Sequence, residues 1–166
     1  MTEQVNQANQ INKKVALITG ASRGIGKAIL HQLAQSGFYV IGTATTDSGA
    51  ESIKAGLTEK GLLGEGFKLN ITDNDQIQNL LTQLKNTCGA PLVLINNAGV
   101  TQDNLLMRMS DEEWDVVIDT NLKGVFRLSR ACVRDMMKAR WGRIVNIGSI
   151  VGSMGNPGQV NYCAAK

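Results

Sequence analysis

The chain has 166 residues, 43% of them hydrophobic and 19% charged, with a formal net charge of +3. That length suits one domain with a real hydrophobic core. No stretch approaches a membrane span and no Lys/Arg run occurs, so neither a membrane nor a nucleic acid is an expected partner.

Residues 1–12 are polar and carry no basic or apolar block of a secretory signal, so they read as a disordered tail. From residue 13 onward short apolar runs alternate with helical patterns. Residues 15–19 form a buried-strand run, followed by a Gly-rich turn and a helix over 24–36. A second strand is expected over 38–43, a glycine-containing helix over 47–60 and a short strand over 67–69. Thr72-Asp73-Asn74-Asp75 has the residues of a helix start, and the helix runs to about residue 86. A strand over 92–95 follows Pro91. Ser110-Asp111-Glu112-Glu113 is a capping box opening one long helix to residue 139. Its apolar face is Trp114, Val117, Ile118, Leu122, Val125, Cys132 and Met136. The fifth strand is expected over 143–147, and a last helix begins near residue 160.

This alternation predicts an α/β fold: a doubly wound parallel sheet in three layers, α/β/α, forming one Rossmann-like domain over 13–166. Cys88, Cys132 and Cys163 lack CxxC spacing. They imply free thiols in a reducing compartment, the cytoplasm, and no metal cluster.

Thr19-Gly20-Ala21-Ser22-Arg23-Gly24-Ile25-Gly26 lies between the first strand and the first helix. Glycines there let the backbone turn tightly and approach a pyrophosphate at the helix N-terminus. An ATP-binding P-loop needs Lys-Ser or Lys-Thr after the glycine, whereas Gly26-Lys27 is followed by Ala28. The second strand ends Gly42-Thr43-Ala44-Thr45 with no acid before Asp47. A carboxylate there would select NAD through the ribose 2′-OH. Its absence, with Arg23 nearby to pair a 2′-phosphate, favours NADP. Asn96-Asn97-Ala98-Gly99 follows the fourth strand, at the end where a cofactor lies in such sheets. Tyr162 and Lys166 are four residues apart, so they share one face of a helix, and an ammonium beside a phenol favours phenolate. Asn121 inside the long helix and Ser149 after the fifth strand are the remaining polar candidates.

The ordered set Thr19-Gly20-x-x-x-Gly24-x-Gly26, Asn96-Asn97-Ala98-Gly99, Asn121, Ser149 and Tyr162-x-x-x-Lys166 resembles the short-chain dehydrogenase/reductase family. The segments 69–72, 104–109, 119–122 and 148–156 resemble the group within it that reduces 3-oxoacyl chains on acyl carrier protein in fatty acid biosynthesis. The resemblance implies that Gly20, Ser22, Arg23, Gly24, Ile25, Gly26 and Thr45 hold the phosphates and ribose of NADPH. It puts Asn70 and Ile71 by the adenine, and Asn97, Ala98 and Gly99 along the ribose. Tyr162 is then the general acid, with Ser149 bonded to the substrate oxygen. Lys166 lowers the tyrosine pKa and binds the nicotinamide ribose, and Asn121 anchors a relay water.

An acidic carrier protein would dock on Arg134, Lys138, Arg140 or Arg143. The family resemblance also implies a homotetramer. The alternatives are a reductase of another ketone, such as acetoacetyl-CoA, and a dinucleotide-binding piece without catalysis. Family members continue for about another third of their length. The expectation is therefore a domain lacking its last strands, with the fifth strand an exposed edge, poorly stable and nearly inactive alone.

Overall fold

The computed structural model describes residues 13–166; the expected tail, residues 1–12, lies outside the described residues. Five parallel strands form one sheet in the order β3-β2-β1-β4-β5. They are β1 (Val15–Ile18), β2 (Tyr39–Ala44), β3 (Gly64–Lys68), β4 (Pro91–Asn96) and β5 (Arg143–Asn146). The main helices are α1 (Gly24–Gln35), α2 (Asp47–Thr58), α3 (Asn74–Thr87), α4 (Asp111–Ile118) and α5 (Gly124–Lys138). Two short helices follow, α6 (Val151–Met154) and α7 (Val160–Ala165). The fold is the expected Rossmann-like α/β sandwich.

Alternation along β1 feeds two cores, because successive strand side chains point to opposite faces. Val15 and Leu17 join Leu81 and Leu84 of α3 and Leu128, Cys132 and Met136 of α5 on one side. Ala16 and Ile18 join Leu30 and Ala34 of α1 and Ile53 and Leu57 of α2 on the other. All four β1 residues are buried, with Ala16, Leu17 and Ile18 at 0% exposure. Each large side chain buried this way contributes about 1.5–3 kcal/mol, and Leu17→Ala would cost about 2–5 kcal/mol.

Local signals set the helix starts. Thr46 Oγ1 accepts from Gly49 N at 3.1 Å to begin α2. Asp73 Oδ1 accepts from Asp75 N and Gln76 N to begin α3. The capping box forms as expected, with Ser110 Oγ accepting from Glu113 N and Glu113 Oε2 accepting from Ser110 N.

Two sequence expectations need correction. β3 begins at Gly64, three residues before the expected start. Its Gly66 sits so close to α2 that an added Cβ would collide with Ala50 O. The need for glycine removed the apolar run that would have marked the strand.

The long helix is not one α-helix. Asp119–Lys123 form a π-helical turn between α4 and α5, which shifts the inward face. Asn121 takes the inward place at 3% exposure, while Leu122 turns out at 50% and Trp114 is also exposed. Residues 148–156 also contain α6, which no sequence signal marked. Among the described residues no helix is long and apolar enough to cross a membrane.

Candidate active site

Strand order reverses between β1 and β4, and a cleft of about 810 Å³ opens beyond the carboxyl ends of the strands. This volume lies in the range of cofactor sites. Thr19, at the end of β1, stitches the two halves of its floor together. Its Oγ1 accepts from Asn97 N and Ala98 N, both at 3.0 Å. Asn97 Nδ2 in turn donates to Thr19 O at 2.9 Å and Gly20 O at 3.0 Å. The loop approaches itself so closely that a Cβ on Gly26 would collide with Gly20 O.

Twelve of the residues expected to hold a cofactor line this cleft, whereas Tyr162 and Lys166, also expected there, are not part of its lining. Gly20, Ser22, Arg23, Gly24, Ile25 and Gly26 form one wall, and Thr45, Asn70 and Ile71 form a second. Asn97, Ala98 and Gly99 form a third. Thr43, Val100 and Thr120 also line it, and the sequence reading did not single them out.

Arg23 is the N-cap of α1 but supplies no capping bond, and the first turn carries no acid. The free N–H groups and the positive end of the helix therefore face the cleft, which suits a phosphate. Among the described residues no carboxylate lines the cleft, and Arg23 is the one charged side chain on it. Asp47, the nearest acid after β2, is paired with Lys68 at 2.8 Å. Among the described residues no cluster of His, Cys, Asp or Glu could hold a metal ion.

At the far end of the cleft, polar side chains converge on Gly99. A Cβ on Gly99 would lie 3.0 Å from Asn121 Oδ1 and 3.6 Å from Lys166 Nζ. Asn121 is held by the backbone of Val100: Oδ1 accepts from Val100 N and Nδ2 donates to Val100 O, both at 2.8 Å. Lys166 Nζ donates to Ile147 O, at the end of β5, at 2.8 Å. It lies 5.8 Å from the centre of the Tyr162 ring. Burial pushes the Lys166 ammonium below the usual lysine range, which makes its proton easier to release.

Ser149 is half-buried just past β5. Its carbonyl accepts from Gly152 N at 3.1 Å, and Gly152 packs against the Lys166 backbone. Thus Lys166 ties the end of β5 and α6 to the end of α7, the helix that carries Tyr162. A second amide was missed by the sequence reading. Asn161, beside the tyrosine, is at 0% exposure, and nothing in its spacing distinguished it from an exposed first-turn residue.

The three cysteines are free thiols. Burial pushes Cys132 up to about 12 and also raises Cys88, so neither is a ready nucleophile.

The model of the short chain dehydrogenase family matches residues 14–166. A 3-oxoacyl-[acyl-carrier-protein] reductase of Haemophilus influenzae is 58% identical over 153 residues, covering 92% of this chain and 62% of that protein. Proteins of the same name from Escherichia coli K12 and Pseudomonas aeruginosa are 56% and 54% identical over the same shares. The chain therefore spans 62% of the length of these curated relatives.

Proposed function

Since the chain belongs to the short chain dehydrogenase family, we propose that it serves the NADPH-dependent reduction of 3-oxoacyl-[acyl-carrier-protein] to the 3-hydroxyacyl form in fatty acid biosynthesis. The observation that carries the reading is the meeting of Asn121 and Lys166 at Gly99, with Tyr162 on the helix of Lys166, at the end of a carboxylate-free cleft. The similarity to the three bacterial reductases supplies the substrate class.

The cleft fits NADPH in size, in its close-packed glycine floor and in the free end of α1. When bound there, that cofactor supplies the hydride. Gly20, Ser22, Gly24, Ile25 and Gly26 hold its phosphates and ribose, with Arg23 and Thr45 at the 2′-phosphate. Asn70 and Ile71 flank the adenine, and Asn97, Ala98 and Gly99 line the remaining ribose.

Tyr162 gives its phenolic proton to the substrate oxygen as charge builds there. Ser149 donates a hydrogen bond to the same oxygen and stabilises that charge. Lys166 steadies the phenolate left behind and reaches the nicotinamide ribose. Asn121 orders the relay to Lys166. Its amide is held in place by the two bonds to Val100.

Arg134, Lys138, Arg140 and Arg143 are exposed and supply a basic face for an acidic carrier. Phe126, Val133 and Met137 leave an apolar stripe on α5, which supports assembly into a homotetramer. The same reading places the protein in the cytoplasm.

The test is cofactor oxidation with acyl chains on carrier protein and on coenzyme A. Faster NADPH consumption with the carrier-bound chain, and a 3-hydroxyacyl product, support the reading. A preference for acetoacetyl-CoA, or for an unrelated ketone, replaces it. Carrier docking on the basic face predicts a steeper salt dependence for the carrier-bound substrate than for the small thioester; equal dependence refutes it.

A further inference from the structure

We propose that Asn161 is a positioning residue that sets Tyr162 against the cofactor cleft. Asn161 is a polar side chain at 0% exposure, and a buried amide is costly unless its donors and acceptor are satisfied. Here its groups meet three backbone partners. Nδ2 donates to Gln102 O at 2.9 Å and to Glu113 O at 3.1 Å. Oδ1 accepts from Tyr162 N at 2.8 Å, one of the N–H groups that a helix start leaves without a partner.

These bonds join three elements. Gln102 lies on the loop that leaves the cleft through Gly99 and Val100. Glu113 lies in the first turn of α4, where Asn104 Nδ2 also donates to its carboxylate at 3.0 Å. Tyr162 lies in the first turn of α7. The neighbouring contacts run in the same direction, with Asn104 N donating to Gly158 O at 2.9 Å and Gln159 Nε2 to Asp103 Oδ2 at 2.9 Å. Residues 102–104 and 158–161 are thus zipped side by side, with Asn161 as the buried tooth next to the phenol. The loop that carries the cleft floor and the helix that carries the proton donor therefore move as one piece.

This inference rests on the reductase reading for its catalytic consequence, and on geometry alone for its structural one. The isosteric change Asn161→Asp keeps the acceptor toward Tyr162 N but turns a carboxylate oxygen onto two carbonyls. Protonating that carboxyl restores one donor. Two readouts follow. With the whole enzyme, Asn161→Asp is expected to lower kcat about 10²-fold near neutral pH. NADPH affinity should stay close to that of the unaltered protein, and activity relative to it should recover as pH falls. Without substrate, amide hydrogen exchange in Asn161→Asp should quicken together in residues 100–104 and 158–166 and remain slow in α3.

An unchanged kcat, or a loss that no acidification restores, overturns the catalytic consequence. Exchange that quickens equally in α3 overturns the local one. Should the variant not fold, exchange of the unaltered protein under mild urea decides: the two segments must open at the same denaturant concentration, and separate opening overturns the inference. An unaltered enzyme that reduces no 3-oxoacyl thioester sinks the proposed function, while the exchange data still decide the role of Asn161.

Discussion

The side chain of Asn121 and the backbone of Val100 form a closed pair, each donating to the other at 2.8 Å. A side-chain amide here imitates a β-strand partner for a loop that has none. Removing it leaves two backbone groups to find new partners. Asn121→Ala is expected to cost about 1–3 kcal/mol of stability and to lower kcat more than cofactor affinity. Urea unfolding and steady-state kinetics check both. Asn121→Leu fills the same buried place with an apolar side chain but cannot form the pair, so activity retained in that variant would refute the role of the amide.

Glycine is required at two places in the first loop for different reasons. Gly26→Ala drives a methyl into Gly20 O, whereas at Gly24 the site is open but φ is +57°. Gly26→Ala should abolish measurable cofactor binding. Gly24→Ala carries only the left-handed backbone penalty, of order 1 kcal/mol, and should bind within about tenfold of the parent. Calorimetric titration with NADPH ranks the two, and the reverse order would contradict the packing argument.

Among the described residues Arg23 is the one charged group lining the cleft. Arg23→Ala should weaken NADPH by about 10–100-fold, as expected for loss of a hydrogen-bonded charge, and leave NADH nearly unchanged. Thr45→Asp should move preference further toward NADH. Equal losses for both cofactors in Arg23→Ala would mean that the arginine does not read the 2′-phosphate.

Asp73 gives a pH prediction. The Gln76 backbone N–H is the leading cause that holds its carboxyl below the usual value; burial opposes it, and the Gln76 side chain and Asp75 N–H add to the lowering. A carboxylate lowered on folding stabilises above its unfolded pKa of about 4, and that stability is lost as pH falls through the lower folded value. Asp73→Asn keeps a cap that does not titrate. Thermal unfolding from about pH 6 down to about pH 2 should therefore show a shallower acid loss in the variant. Parallel curves would deny the cap its charge.

The sheet, its order of elements and the Gly-rich loop were legible because each rests on a local rule, while Asn70 and Ile71 came from the family resemblance alone. Apolar runs mark buried strands, glycines mark close approaches, and Ser110 with Glu113 marks a cap. What was hidden depends on contacts made far along the chain. The start of β3 at Gly64 was hidden because Gly66 is needed against Ala50. The π-turn was invisible because Asn121 is held by Val100, 21 residues earlier. Asn161 looked like any helix-start asparagine because its partners, Gln102 and Glu113, are 59 and 48 residues away. The Tyr162–Lys166 spacing put both on one helix, and the structure places Tyr162 in α7 and Lys166 just past its last residue; the sequence could not tell that Lys166 Nζ is engaged by Ile147 O.

The proton-donor role of Tyr162 within a 3-oxoacyl reductase is the central claim, and Tyr162→Phe tests it most directly. The measurement is the rate of NADPH oxidation with a 3-oxoacyl chain on carrier protein, alongside NADPH affinity. The account predicts turnover in the parent, a fall of about 10²–10⁴-fold in the variant, and cofactor binding nearly unchanged. Turnover in Tyr162→Phe equal to the parent's would contradict it.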